Sequence, residues 1–282
     1  YLHWLSDRIN KKYNDKSTFM KFKAFLLTFL FLGGIALAQN RWAGKKVAVI
    51  GDSISDSTRV GTTRCWWEIL SDSLLLEPTC YARNGATIQN MHGQVEKARA
   101  EQEASGKAWD LILIFGGTND YNANVPLGEI YTVKEETTNK DGKQQTLLHR
   151  SFNTDNATFC GRVNNLLSEI KKHFPQARVL MLSPIHRGYA TFGERNVQPD
   201  ELWANTQGLF LDDYIHCLGQ AGRAWAVPML DTHIHTQIFP IYGSYDGHIH
   251  RVDTDRLHPN VKGHHQIALS VQGYLEHTLP FE

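Results

Sequence analysis

The chain has 282 residues, of which 41% are hydrophobic and 21% charged, with 29 Lys+Arg balanced by 29 Asp+Glu. Such usage excludes a mainly disordered chain, and 22 Gly and 9 Pro with no three-residue period exclude a collagen-like one. A formal charge of zero gives no electrostatic ground for a nucleic-acid partner, and the length suffices to bury a core without metal or disulfide staples.

Residues 1–19 are polar and read as an upstream or disordered extension. Met20, Lys21 and Lys23 then lead into a 15-residue, mostly apolar run, Ala24–Ala38, that ends Ala36-Leu37-Ala38. A basic start, an apolar middle and an A-x-A end predict a signal peptide over 20–38. The run is short of the ~20 residues needed to span a bilayer, which weighs against the alternative of an N-terminal anchor. Residues 39–282 are therefore expected to form one exported domain, periplasmic or extracellular, without stable membrane insertion. Residues 1–38 hold six Lys/Arg and two Asp/Glu, so the remainder carries 23 basic and 27 acidic residues, a formal charge of −4. In an oxidising compartment Cys65, Cys80, Cys160 and Cys217 could form two disulfides in three connectivities, or remain buried thiols.

Along this domain, apolar runs alternate with amphipathic ones. Strands are predicted at 46–51, 78–82, 110–116, 177–185 and 225–231. Helices are predicted at 63–75, 90–104, 156–173, 200–224 and 261–277. Continuous apolar strands alternating with helices argue for a parallel sheet covered on both faces. Residues 121–155 interrupt the alternation. Asp141-Gly142 lies between two runs of alternating residues, 130–133 and 146–149, and predicts a β-hairpin. Because the insertion follows the third strand, it is expected at the carboxyl edge of the sheet, as a lid or as a decorative hairpin.

Three of the chemistry-bearing blocks stand at predicted strand ends. Gly51-Asp52-Ser53-Ile54-Ser55 follows the first strand, Asn84-Gly85 the second, and Gly116-Gly117-Thr118-Asn119-Asp120 the third. Strand ends of a parallel sheet fall on one edge, so Ser53, Gly85 and Asn119 can converge. A serine hydroxyl needs a base within hydrogen-bond reach to act as a nucleophile. The Ser53 and Gly85 N–H groups and the Asn119 amide could form an oxyanion hole. Among 14 histidines, Asp-x-x-His occurs twice. Asp213…His216 lies within a helical pattern, where such pairs are commonplace. Asp255…His258 lies in a turn-rich segment before the last helix, where the histidine can swing over the sheet edge while Asp255 fixes its tautomer. Asp52 and Asp120 are read as hydrogen-bond acceptors that shape their loops, and Trp66-Trp67 as core packing.

Taken together, GDSIS at 51–55, Gly85, GGTND at 116–120 and DRLHP at 255–259 resemble, in order, the four blocks of the SGNH or GDSL hydrolases, over roughly residues 45–280. The resemblance implies a three-layer α/β/α sandwich with a flavodoxin-like parallel five-stranded sheet. It implies ester hydrolysis without metal or organic cofactor, with Ser53 as nucleophile, His258 as base, Asp255 as its orienting partner, and Ser53, Gly85 and Asn119 as the oxyanion hole. The expected substrate is a small-molecule or polysaccharide ester, with acetyl groups on carbohydrate preferred and lipid or aryl esters second. A catalytically silent carbohydrate-binding module and a flavodoxin-like mononucleotide binder are the competing readings. The H-x-H pairs His233/His235 and His248/His250 raise a metal site, but no HExxH or clustered Cys/His spacing accompanies them, and none is expected.

Overall fold

A computed structural model describes residues 40–278; the extension and the signal peptide expected over 1–38 lie outside them. Five strands form a wholly parallel sheet: β1 (Lys46–Gly51), β2 (Glu77–Cys80), β3 (Leu111–Phe115), β6 (Arg178–Leu182) and β9 (Met229–Leu230). Their order is β2-β1-β3-β6-β9, the flavodoxin-like arrangement. Side chains along each strand divide by period two between the faces. Ala48, Ile50, Ile112, Ile114, Val179 and Met181 enter one core, and Val47, Val49, Leu111, Leu113, Leu180 and Leu182 the other. Burial on both sides explains why these strands read as unbroken apolar runs.

Helices α1 (Trp66–Leu74) and α7 (Val261–His277) bury Trp66, Leu70, Ile267 and Val271 on one face. Helices α2 (Ile88–Ser105), α4 (Phe159–His173) and α5 (Leu211–Trp225) bury Met91, Val163, Leu167 and Leu218 on the other. The short helix α3 (Thr118–Asn122) follows β3, and α6 (Thr232–His235) follows β9. Among the described residues no helix is long and apolar enough to cross a membrane.

The insertion is the expected hairpin, longer than predicted. Its strands β4 (Tyr131–Lys140) and β5 (Lys143–Phe152) pair in continuous register. Asp141 and Gly142 both take positive φ, as a two-residue type I′ turn requires. Its base is tied down by Asn164 of α4, whose amide donates to Ile130 and Asn153 carbonyls at 2.8 Å, and by Phe152 stacking on Trp225 of α5 at 4.1 Å. These anchors attach the hairpin to the helix layer rather than to Ser53 or His258, which favours the decorative reading over the lid.

Two sequence expectations are corrected here. The DRLHP segment is not a free turn but strand β11 (Asp255–Pro259). It pairs with β10 (Ile249–Arg251) and with β7 (Ala190–Thr191), which pairs in turn with β8 (Val197–Gln198), forming a second, antiparallel sheet. Cysteine usage is mixed rather than uniform: Cys160 and Cys217 join α4 to α5 as a disulfide, Cα–Cα 6.1 Å. Cys65 and Cys80 are thiols that donate to the Asp56 and Ser55 carbonyls.

Candidate active site

Strand β1 ends at Gly51, where a Cβ would lie 2.9 Å from the Phe115 carbonyl oxygen, so only glycine lets β1 and β3 close up at this edge. The chain then turns sharply. Asp52 is fully buried, its carboxylate accepts the Ile54 N–H at 3.0 Å, and its carbonyl accepts the Ser55 N–H at 3.1 Å. Ser55 is clamped from α1. The Trp66 indole donates to its hydroxyl at 3.0 Å and the Trp67 indole to its carbonyl at 2.8 Å. The tryptophan pair does more than fill the core, because it braces the turn that presents Ser53.

His258 Nε2 lies 2.8 Å from Ser53 Oγ. On its other side, His258 Nδ1 lies 2.9 Å from Asp255 Oδ2. Asp255 Oδ1 accepts the N–H groups of Leu257 at 3.2 Å and His258 at 3.0 Å, which locks the carboxylate to its own strand. All three residues are at most 5% exposed. Burial works to raise the Asp255 carboxyl, but the hydrogen bond and charge of His258, with the two backbone donors, hold it below the usual carboxylate range. The Asp255 carboxylate can only accept, so His258 Nδ1 carries the proton and Nε2 faces Ser53 with a lone pair. The β7 pairing of β11 means that His258 is held, not free to swing as its sequence context suggested. Phe192, on the loop beyond β7, sets its ring edge-on to His258 at 5.7 Å.

Strands β2 and β3 run parallel to β1 on either side of it, so their carboxyl ends lie on the same edge. Gly85 has φ +72°, a left-handed conformation that favours glycine. Among the described residues, the Ser53 and Gly85 N–H groups have no acceptor. The Asn119 amide nitrogen donates to the Ala86 carbonyl at 3.0 Å, which fixes its rotamer beside Gly85 and leaves its second proton free. Two aspartates tie these loops together. Asp56 accepts Thr58 N–H at 2.8 Å and Asn84 N–H at 2.5 Å, and Asp120 accepts Ile88 N–H at 2.9 Å and Arg162 at 3.1 Å. Burial pushes the Asp120 carboxyl up to about 6, against the pull of these donors. The other Asp-x-x-His pair has no such geometry. Asp213 caps its own helix, accepting the Phe210 N–H at 2.8 Å.

Sequence reasoning missed several supports. Arg187, 2% exposed, donates to Thr118 of the GGTND block at 3.4 Å and to Gln198 at 2.8 Å, and lies 5.4 Å from the Tyr121 ring. His264 accepts the Trp66 N–H at 3.1 Å and thereby supports the start of α1, burial holding it down at about 3 and hence neutral. Gln94 of α2 makes two 2.8 Å hydrogen bonds to the backbone of Gly51. These links join residues 11 to 198 positions apart and have no local signature.

Asp52 carries a pH consequence. Burial pushes its carboxyl up to about 7 from 3.8, with the Ile54 N–H and the His258 charge opposing. The unfolded chain ionises this group near its ordinary value while the folded one holds the proton. Stability is therefore lost as pH rises from about 4 to about 7, and no further above that. Asp52→Asn keeps an acceptor for Ile54 and has no charge to bury. The variant is expected to gain stability relative to the parent across that window, by on the order of 4 kcal/mol at its upper end. Thermal melts of both proteins from pH 4 to 9 measure this, and a constant difference would refute it.

A family model, described as the GDSL-like lipase/acylhydrolase family, matches residues 49–266. Among solved structures, a structural-genomics protein from Lactobacillus plantarum is 24% identical, covers 84% of this chain and 98% of its own, and superposes with a TM-score of 0.62. A possible lipase from Chitinophaga pinensis is 18% identical over 82% of this chain and 97% of its own, TM-score 0.60. The salicylyl-acyltransferase SsfX3 of a tetracycline biosynthetic pathway is 15% identical over 85% of this chain and 57% of its own, TM-score 0.55. At these identities the likeness speaks to the fold. No curated protein matches the chain.

Proposed function

Because this chain belongs to the GDSL-like lipase/acylhydrolase family and is an ester hydrolase on that ground, we propose that it acts through Ser53, His258 and Asp255. The observation that carries the reading is the unbroken hydrogen-bond chain Ser53–His258–Asp255, at 2.8 and 2.9 Å. His258 Nε2 takes the Ser53 proton as Oγ attacks the ester carbonyl. Asp255 stabilises the imidazolium that forms. The oxyanion is received by the Ser53 and Gly85 N–H groups and the free Asn119 amide proton. His258 then protonates the departing alcohol, and water, activated by the same nitrogen, cleaves the acyl-enzyme. Asn119→Ala removes one of three donors and is expected to lower kcat by about 10²–10³-fold with KM little changed. Steady-state kinetics on a p-nitrophenyl ester tests this, and a change confined to KM would remove Asn119 from the oxyanion hole.

The preferred substrate is a small acyl group, such as acetyl, on carbohydrate, met outside the cell after export. Two exposed aromatic side chains beside β7 support this reading, Phe192 edge-on to His258 and Tyr189 just before it, since aromatic faces suit sugar rings. A panel comparing acetylated polysaccharides with p-nitrophenyl esters of rising chain length tests it. Acetate release from polysaccharide supports it, whereas release of long acyl chains without acetate release places the same aromatic side chains on lipid.

A further inference from the structure

Outside the Ser53–His258–Asp255 chain, three ligand-type side chains meet past the carboxyl ends of β6 and β9. His186 follows β6, His233 lies in α6, and Glu201 lies on the loop before α5. Their donor atoms all fall within 4.8 Å of one another. Glu201 contacts His186 Nδ1 with one carboxylate oxygen and accepts the Arg187 N–H with the other at 2.8 Å. His233 Nδ1 lies 3.2 Å from the Pro184 carbonyl, which can only accept, so this nitrogen carries the proton. The His233 Nε2 lone pair is thereby turned outward, toward Asp212 Oδ1 at 3.7 Å. The two imidazole rings are 3.4 Å apart between centroids, a spacing that disfavours two positive charges.

Two imidazoles and a carboxylate are a donor set that zinc takes, with a fourth position left open. Mg²⁺ and Ca²⁺ prefer oxygen ligands and suit it poorly. The backbone partners of His233 and Glu201 are the kind of outer support that fixes metal-ligating side chains. We propose that His186, Glu201 and His233 bind one divalent transition-metal ion of the zinc class, with Asp212 or water in the fourth position. Coordination replaces the His186–Glu201 contact with two bonds to the ion, whose tetrahedral ligand atoms stand roughly 3.4 Å apart. His186 and Glu201 are the two ends of one loop. Between them lies β7, which pairs with Asp255 of β11, and Phe192, which packs on His258. The ion is a staple that closes the loop holding the catalytic strand. This role is independent of which ester is cleaved.

The test uses the full chain, dialysed against chelator and titrated calorimetrically with Zn²⁺ alone, with thermal melts alongside. Co²⁺ provides a second probe through its visible absorption bands. One equivalent bound per chain, a saturable rise in Tm and visible cobalt bands are expected. His186→Ala and His233→Ala should each weaken binding by more than about 100-fold, beyond the usual loss of an outer-shell partner. His235→Ala, exposed on the same short helix, should leave binding unchanged. Glu201→Gln retains an acceptor for Arg187 N–H, so it preserves the loop and should still weaken binding at least tenfold. Absence of saturable binding would overturn the proposal, and so would equal affinity in the parent and the folded His186→Ala, His233→Ala and Glu201→Gln variants.

Discussion

Replacing Ser53 by alanine is expected to lower kcat/KM for ester hydrolysis by about 10⁴–10⁶-fold while leaving the melting temperature nearly unchanged. The hydroxyl is the group removed, and its partner in the resting protein is His258 Nε2, which can bind water instead. Ser53 contributes little to the core, because the turn around it is held by Asp52, Ser55 and the two tryptophans. His258→Ala should cost a similar factor, and the Ser53→Ala/His258→Ala double variant should be little worse than either alone. Nucleophile and base act as one unit, so their losses do not add. Multiplicative losses in the double variant, measured against the two single variants on one ester, would show that the residues act separately.

Asp255→Asn is expected to cost about 10⁴-fold in kcat with the fold retained. The two oxygens of Asp255 have different tasks. Oδ1 accepts the backbone N–H groups of Leu257 and His258, a role an asparagine oxygen can keep. Oδ2 faces His258 Nδ1 at 2.9 Å, where asparagine places an NH₂ group. That group can only donate, so His258 must present a lone pair at Nδ1 and carry its proton on Nε2. The nitrogen facing Ser53 is then already protonated and cannot act as base. Asp255→Ala, by contrast, also strands two backbone donors in a buried strand and should lose stability as well. Kinetics and melting curves on both variants separate the two effects. Full activity in a folded Asp255→Asn protein would exclude Asp255 as the orienting group.

Much of this was legible in the sequence because local patterning and tertiary burial agree. Helix α7 spans the predicted 261–277, since Asn260 caps it with its side chain on the Lys262 and Gly263 N–H groups. Elsewhere local chemistry competes with periodicity. The predicted helix 200–224 begins only at Leu211, because the Asp200 and Asn205 side chains accept N–H groups of Leu202, Gln207 and Leu209 and hold turns instead. The last strand shrinks from 225–231 to 229–230, since α5 runs on through Trp225 and Pro228 has no N–H to give to a ladder. The second sheet was not anticipated, its strands being two to five residues long with no alternation to read. Within the site, the motif residues themselves were visible. Gln94, Arg187 and His264 were not, because each acts on a partner distant in sequence.

Gln94 shows what such a partner accomplishes. A strand at its last residue ordinarily exposes an N–H and a C=O that solvent must satisfy. The Gln94 amide supplies one acceptor and one donor to Gly51, both at 2.8 Å, and so serves as a one-residue substitute for a further rung of the ladder. Beneath Ser53, both backbone groups of Gly51 are thereby met by protein atoms. The floor under the reacting atoms is closed by buried protein groups, and in that low-polarity setting the hydrogen bonds between Ser53, His258 and Asp255 act at greater strength than they would in solution.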